Sequence, residues 1–392
     1  MAEEKSANAG ASASEYRPGL EGVVVSRSSI SYVDGEHGVL EYRGINIRDL
    51  VADSTFEETT YLLLYNHLPN QRELAQFTTL MAKQRILPQS VRDAIHSFPV
   101  GMHPMVALQA GITMLAGEDY FTDELGSQGN NIRRSVALIA KAPSILAAFE
   151  RCRNGEEPMP AVSKYSHAEN FLFMIRGERP DPVEAQVFDK LLIMHADHST
   201  NASTFTCRVI GSTLANLYSS VSGAVGALSG SLHGGANERV LRMLYSVGSP
   251  DNVEKFVDEM TAAGNKIMGI GHRIYKVKDP RADLLQETIP QLLALKGGEE
   301  WQTLYHTALR LEEVVNQKLS HKKLYPNVDF YSGIALEILG VPVDLFTTVF
   351  AMSRVAGWCA HWVEQVSANR IFRPKQEYIG DHSRPYVPLN RR

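Results

Sequence analysis

Five segments of the chain concentrate side chains that move protons or hold anions. His195-Ala196-Asp197-His198 closes a strongly apolar helical stripe. Gly230-Ser231-Leu232-His233-Gly234-Gly235-Ala236-Asn237 sets a histidine among glycines. Met268-Gly269-Ile270-Gly271-His272-Arg273-Ile274-Tyr275-Lys276 continues to Asp279-Pro280-Arg281. Tyr325-Pro326-Asn327-Val328-Asp329-Phe330-Tyr331-Ser332-Gly333 carries a carboxylate. The fifth is basic: Arg354 in the last long helical pattern, then Arg370, Arg373 and Lys375. Histidine and aspartate are the usual general acids and bases, and guanidinium forks grip carboxylates and phosphates. Each residue alone also has an ordinary reading. A histidine beside glycine is most often a capped turn residue, and Asp329 can simply begin a helix. Arg354 can be a buried structural partner, and the C-terminal basic cluster a solvated face. Only the whole set separates these readings.

Several familiar chemistries fail on spacing. Gly269-Ile270-Gly271 lacks the third glycine and the preceding strand of a dinucleotide fingerprint. No Gly-x4-Gly-Lys-Ser/Thr, no His-Glu-x-x-His and no Gly-x-Ser-x-Gly occurs, which argues against a P-loop, a zincin and an α/β-hydrolase. His195 and His198 stand three apart with Asp197 between them, a spacing open to a metal, but no specific zinc pattern supports one. No metal is expected.

The elements that must position these residues are mostly helical. Ser29–Val33 and Val39–Tyr42 flank a turn-rich Asp34-Gly35-Glu36-His37-Gly38 and predict a small hairpin. After that, apolar residues recur with a helical period. Ser54-x-x-Glu57 predicts a capping box ahead of the apolar Tyr61–Leu64 cluster. Asp181-Pro182 opens another helix, with Glu184 at the capping-box distance and Val183, Val187 and Leu191 in one stripe beside Phe188 and Leu192. One helix carries Phe256, Val257 and Met260. Another begins at Trp301 and carries Leu304, Ala308, Leu311 and Val315. The last begins near Pro342 and stacks Leu345, Val349, Met352, Ala356, Cys359 and Val363. Helices this apolar around their circumference must be buried on more than one side. Without repeated strand–helix alternation, the fold class is mainly α with a small N-terminal β-hairpin.

Composition agrees. The 392 residues are 44% hydrophobic and 21% charged, ordinary for a chain with a substantial core, and their number suggests two or three domains. A net charge of −5 gives no basis for a nucleic-acid or acidic-membrane binder as a whole. Cys152, Cys207 and Cys359 are odd in number and never in a Cys-x-x-Cys pair, so a reducing compartment is the simpler reading. Met1–Ser14 is Ala/Ser-rich without an apolar core and predicts a disordered tail rather than a signal peptide. No run reaches a membrane span, and Lys141 and Pro143 interrupt Ser135–Phe149. A cytoplasmic location is expected.

Taken in order, His-Ala-Asp-His, Leu-His-Gly-Gly-Ala-Asn, Gly-His-Arg-Ile-Tyr-Lys-x-x-Asp-Pro-Arg and Pro-Asn-Val-Asp-Phe-Tyr-Ser-Gly resemble the motif series of the citrate synthase family. Ser-Arg-x-x-Gly (Ser353 to Gly357) and Arg-Pro-Lys (Arg373 to Lys375) continue it. The resemblance runs from about Gly19 to the C-terminus, and the length suits the family's shorter bacterial and archaeal members. 2-Methylcitrate synthase, which uses propionyl-CoA, shares nearly all of these motifs and is the nearest alternative.

The resemblance implies a condensation of acetyl-CoA with oxaloacetate, followed by hydrolysis of citryl-CoA to citrate and CoA. Acetyl-CoA is a substrate, and no cofactor is expected. Asp329 matches the family's base, His233 the donor to the acetyl carbonyl, and His272 the histidine that polarises the oxaloacetate ketone and protonates the alkoxide. His233 precedes an apolar helical run and is expected at its N-terminus, where the helix dipole disfavours imidazolium. Arg281 and Arg354 take the oxaloacetate carboxylates with His198, and Arg373 is contributed from the partner subunit of a homodimer. Phe350, four residues before Arg354 on the same helix face, matches an aromatic neighbour of the acetyl group. Met268, Gly269, Ile270 and Gly271 are expected to approach the adenine end of CoA, with Arg273 and Lys276 as phosphate contacts and Lys322 and Lys323 as weaker ones. Ser231 and Ile270 depart from the family's commoner proline and phenylalanine, and Ile270 bears on CoA affinity rather than on the reaction.

Family architecture implies a disordered tail over 1–18, a large helical domain of 19–233 and 334–392, and a small helical domain of 234–333 that closes over the substrates. Two rivals stand further off. One is a non-catalytic helical scaffold of the same fold, against which the intact set of ionisable residues speaks. The other is a metal-dependent hydrolase using His195 and His198.

Overall fold

The computed structural model describes residues 16–119 and 127–392. The expected N-terminal tail falls almost wholly outside the described residues. Two compact units divide the chain: Ser28–Ile371, and a second made from the two chain ends, up to Arg27 and from Phe372. The terminal unit holds short 3-10 turns at Pro18–Leu20 and Leu389–Arg391 and otherwise extended chain.

In the larger unit, the predicted hairpin is present and gains a strand. β1 (Ser31–Asp34) pairs antiparallel with β2 (Val39–Tyr42), and β2 pairs with a two-residue β3 (Ile45–Asn46). Asp34 folds the turn by accepting from the Glu36 and His37 backbone N–H groups, both at 3.0 Å. Asn46 then caps the helix Ile47–Asp53 through Arg48 N–H. The third strand carried no pattern because two residues are too short for an alternation.

Helices make up most of the rest, so the mainly α expectation holds. Asp181 and Glu184 form the predicted capping box of Pro182–His195, whose Val187, Phe188, Leu191 and Leu192 are fully buried. The box predicted at Ser54 does not form. Thr55 is the N-cap of Phe56–Tyr65, accepting from Glu58 N–H at 3.2 Å. Glu57 turns inward instead and accepts from His167 N–H at 2.7 Å, so a tertiary contact displaces the local one. The helix expected from Trp301 starts two residues earlier, at Glu299. The pattern near Pro342 opens as a 3-10 turn, Val343–Leu345, before Phe346–Ser367.

Phe346–Ser367 is buried on all sides from Ala351 to Val363. Truncating a side chain such as Trp358 or Trp362, both fully buried, costs about 3–5 kcal/mol. This helix packs against Pro182–His195, Ala202–Ser212 and Leu217–Leu228. Among the described residues, no helix is long and apolar enough to cross a membrane. The three cysteines are free.

Candidate active site

The Ser353-Arg354-x-x-Gly357 motif docks the central helix onto the end of Pro182–His195, and hydrogen bonding explains its spacing. Ser353 Oγ donates to Leu192 O, Arg354 Nε donates to His195 O at 2.6 Å, and Gly357 N–H donates to Ala196 O at 3.0 Å. Carbonyls at a helix C-terminus lack intrahelical partners, and three donors one turn apart satisfy them. A Cβ on residue 357 would collide with Ala196 O and Asp197 Oδ1, so only glycine permits this approach.

Asp197, fully buried, holds the turn from below. Its Oδ2 accepts from Ser31 Oγ at 2.6 Å and Ser199 N–H at 3.2 Å, and His361 Nε2 lies 3.2 Å from Oδ1. Burial pushes this carboxyl up, but His361, Arg354 and Ser31 outweigh it and hold the pKa below the ordinary value. Three side-chain atoms of this buried floor have no hydrogen-bond partner among the described residues: His195 Nε2, Arg354 Nη2 and Asp197 Oδ1, the last facing the His361 ring. His195 Nδ1 donates to Leu191 O at 2.8 Å, and burial pulls the ring's pKa down to about 3, so Nε2 is a bare acceptor. Burial likewise draws Arg354 down to about 10, against the pull of Asp197. Phe350 stands between the two, its ring 4.7 Å from both the His195 ring and the Arg354 guanidinium carbon.

Above this floor sits a cluster of three rings. His198, buried, lies 5.5 Å from the His272 ring and 5.6 Å from the Tyr275 ring, with Nε2 3.2 Å from the Tyr275 hydroxyl. His272 Nδ1 accepts from the backbone N–H groups of Ile274 (3.0 Å) and Tyr275 (3.1 Å). With Nδ1 an acceptor, the ring's proton must be on Nε2. Burial, with Arg281 and Lys276, lowers its pKa to about 4 although Asp279 opposes them, so the ring is a neutral donor near pH 7.

His233 reaches the same protonation state by another route. Its expected helix, Ala236–Val247, starts three residues on, and Gly235 precedes it in a left-handed conformation without a side-chain cap. The helix N-terminus that meets the ring belongs to Ala202–Ser212. Ser203 N–H donates to Nε2 at 3.2 Å, and the Ser203 hydroxyl lies 2.8 Å from the same atom. Nδ1 therefore carries the proton. Burial first, then Arg354, lowers the pKa to about 4. Ser203 Oγ accepts from Trp358 Nε1 (3.2 Å), and its single proton is shared between His233 Nε2 and Asn201 Oδ1 (2.8 Å each).

Asp329 lies in the first turn of Val328–Ile338, capped by Asn327, whose Oδ1 accepts from Asp329 N–H at 3.0 Å. The ordinary reading of this aspartate as a helix opener is thus also true. Its carboxylate has no hydrogen bond from the described residues. Burial raises its pKa to about 6, with Asp279 adding to the rise and Arg281, Arg354 and Arg239 opposing it. A carboxyl poised there is a functional candidate on physical grounds. Arg281 is buried and paired bidentately with Asp279, at 3.0 and 2.7 Å.

The third and fourth motifs are stitched together by backbone. Gly271 N–H donates to Tyr325 O at 2.7 Å, Asn327 N–H to Gly269 O at 2.9 Å, and Asn327 Nδ2 to Gly271 O at 2.9 Å. Ile270 bridges Pro326. Gly269 has φ +75°, and a Cβ there would lie 2.6 Å from Val240 Cγ2 and 3.1 Å from Phe330 Cα. Close packing alone accounts for that glycine. Arg273 and Lys276 are exposed, as are Lys322 and Lys323, and Met268 is half-buried. Arg373 belongs to the terminal unit, where it is exposed and donates to Pro374 O at 2.8 Å.

Tyr275, Asn327, Asp279, Ser203 and Trp358 were not assigned from sequence. The first three stand inside the motifs, where only a side chain's direction distinguishes them from spacers. Ser203 meets His233 across 30 residues of chain and Trp358 meets Ser203 across 155, and no local pattern connects them. Among the described residues, no group of three His, Cys, Asp or Glu side chains is placed to hold a metal ion.

Comparison with known proteins gives one consistent answer. The family model "Citrate synthase, C-terminal domain" matches residues 19–375. "Citrate synthase" of Synechocystis sp. is 47% identical over 96% of this chain and 94% of its own length. "Citrate synthase 2" of Bacillus subtilis is 43% identical over 95% of this chain and 98% of its own. The crystal structure of citrate synthase from Pyrobaculum aerophilum superposes with a TM-score of 0.91 at 41% identity, covering 96% of this chain and 95% of that one. The Thermoplasma acidophilum enzyme, solved as a ternary complex with carboxymethyl coenzyme A and oxaloacetate, gives a TM-score of 0.89 at 32% identity, covering 96% of this chain and 100% of that one. The chain belongs to the citrate synthase family, acyltransferases that condense acetyl-CoA with oxaloacetate and release citrate and CoA.

Proposed function

We propose that Asp329, His233 and His272 carry the chemistry and that Arg281, Arg354 and His198 hold oxaloacetate. The observation that carries this reading is the fixed tautomer of both histidines together with a carboxylate whose pKa is about 6 and which shares Arg354 with His233 and Arg281 with His272 as charged neighbours. A thioester methyl group is too weak an acid for a carboxylate unless the developing enolate oxygen is stabilised at the same moment. Asp329 removes the methyl proton while His233 Nδ1–H donates to the thioester oxygen. The new carbanion equivalent attacks the oxaloacetate ketone, whose oxygen accepts from His272 Nε2–H and takes its proton as the alkoxide forms. Water then cleaves citryl-CoA.

Arg354 Nη2 and His195 Nε2 leave polar atoms bare on the floor, which suits a bound dicarboxylate and its solvation. Asp279 holds Arg281 in plane for bidentate carboxylate binding. Arg373 completes this set from the partner subunit of a homodimer, and Arg273, Lys276 and the Met268–Gly271 backbone receive CoA. Residues 234–333 act as a smaller domain whose closure excludes water before the enol forms. His233 and Asp329 near its two ends support that division.

The test is thiol release from acetyl-CoA and from propionyl-CoA in parallel, each with and without oxaloacetate. Rapid CoA release from acetyl-CoA that requires oxaloacetate is expected. Release independent of oxaloacetate, or a preference for propionyl-CoA, contradicts the reading. One methylene is worth only about 1–3 kcal/mol, so slow turnover of propionyl-CoA is expected as leakage.

A further inference from the structure

Arg239, on the first turn of Ala236–Val247, is exposed but folds its side chain back along the chain. Its Nε donates to Gly235 O at 3.0 Å, and its Nη2 donates to Ser231 O at 3.0 Å and Gly234 O at 3.2 Å. Those carbonyls bracket His233 on both sides. The turn has few other restraints: His233 N–H and Gly234 N–H both donate to Gly230 O, at 2.9 and 3.0 Å. Gly234 also presses on the end of Leu217–Leu228, where a Cβ would collide with Leu228 O. A guanidinium that joins three carbonyls of one turn fixes that turn's shape.

The same charge acts on a second residue. The helix that carries Arg239 packs against Val328–Ile338, the helix that carries Asp329, so closely that a Cβ on Gly333 would collide with Asn237 O. The charges around Asp329 are Arg281, Arg354 and Arg239 as cations and Asp279 as an anion, and of the three cations Arg239 alone is exposed. His233 and His272 are neutral near pH 7 and add no charge. Arg281 is committed to Asp279, and Arg354 lies against the His195 carbonyl. Arg239 has no carboxylate partner among the described residues.

We propose that Arg239 is a positioning residue that holds the His233 turn through its hydrogen bonds and favours the ionised form of Asp329 through its charge. The proposal rests on the roles given above to His233 and Asp329. Its two halves are separable, because lysine keeps the charge without the fork and glutamine keeps a donor without the charge.

The experiment compares the pH dependence of kcat/KM for acetyl-CoA at saturating oxaloacetate in the unaltered enzyme, Arg239→Lys and Arg239→Gln. Melting curves for all three check that they are folded. In Arg239→Gln the acid limb is expected to move up by about half a pH unit, since losing a nearby cation disfavours the carboxylate. In Arg239→Lys the limb stays in place while kcat falls about three- to tenfold, since loosening a turn that carries a donor misplaces it. Coincident profiles and equal kcat in all three proteins overturn the proposal. Equal displacement of the limb in both variants overturns the charge half, and an unaltered kcat in Arg239→Lys overturns the positioning half. If Arg239→Gln does not fold, the lysine variant at low and high salt decides, because its charge effect must weaken with screening. An unaltered enzyme that releases no CoA with oxaloacetate contradicts the proposed function itself, and so is distinguishable from failure of this inference.

Discussion

The floor and the rim of the site are built in opposite ways. The floor, His195–His198 against Ser353–Gly357, is buried, and side chains reach across two helices to tie it. The rim, His272–Arg281 against Tyr325–Asp329, is held mainly by backbone hydrogen bonds between loops, with Arg273, Ile274 and Lys276 exposed. The floor keeps three unsatisfied polar atoms in place through close packing. The rim fixes its histidine's tautomer with two backbone donors, while burial keeps the ring neutral. Rigid helices suit a fixed binding site for a dianion, and loops suit the part that must admit a large substrate and close afterwards.

Four measurements sharpen or break that contrast. The largest effect is expected from chemistry alone. Asp329→Asn and His233→Ala should each lower kcat by about two to four decades while leaving the melting temperature within a few degrees. Near-normal turnover in either variant removes its assigned role. Next, Gly357→Ala should cost about 2–3 kcal/mol of stability by overpacking the helix interface, and should weaken oxaloacetate binding as Arg354 shifts. A variant as stable as the parent shows that the floor is softer than its packing suggests.

Asn327→Ala strikes the rim instead. It removes a helix cap and the clamp on Gly271 O, for about 1–2 kcal/mol, yet kcat should fall further than stability implies because Asp329 and the His272 loop both depend on it. Comparable losses in the two variants, in both stability and kcat, erase the distinction between floor and rim.

The smallest effect is in pH. His195, His233 and His272 have folded pKa values of about 3, 4 and 4, below the ordinary histidine value. Their contribution is complete above the unfolded value near 6.5 and is lost as pH falls through 4. Asp329, raised to about 6, has the opposite sign and adds stability as pH falls from 6 toward its unfolded value of 3.8. Burial also lowers His167 and His198 and raises Asp189, so five histidines against two aspartates predict a melting temperature that declines between pH 6.5 and 4, more steeply in Asp329→Asn. A flat profile in both proteins contradicts the neutral-imidazole account.

The motif residues and the helical class were legible because both depend on local order: a motif is contiguous, and a helix repeats every 3.6 residues. What stayed hidden was decided over distance. Ser54-x-x-Glu57 has the right spacing for a capping box, but His167, 110 residues away, takes Glu57 and leaves the cap to Thr55. His233 precedes a helix in sequence, yet its ring meets the start of a different one. Gly269 suggested a ligand's approach, and tertiary packing gives it a second reason, since Val240 and Phe330 fill the space a side chain would need. Arg239 looks like any charged residue on a helix's first turn until its three carbonyl partners are seen.

The N-terminal hairpin touches both halves of the site. Ser31 and Tyr42 hold the Asp197 turn, while Gly35 O accepts from Lys276 N–H at 2.8 Å, and a side chain at Gly35 would strike Ile274 O. The partners of that last contact are about 240 residues apart, a large loop to close before any contact is gained. A chain emerging from the ribosome makes this hairpin early and must keep it waiting for most of synthesis. The rim therefore cannot set until the chain has been made at least to Asp329, and binding competence waits on that length. A ligand that recognises the finished rim would report chains that have reached it and pass over every shorter intermediate.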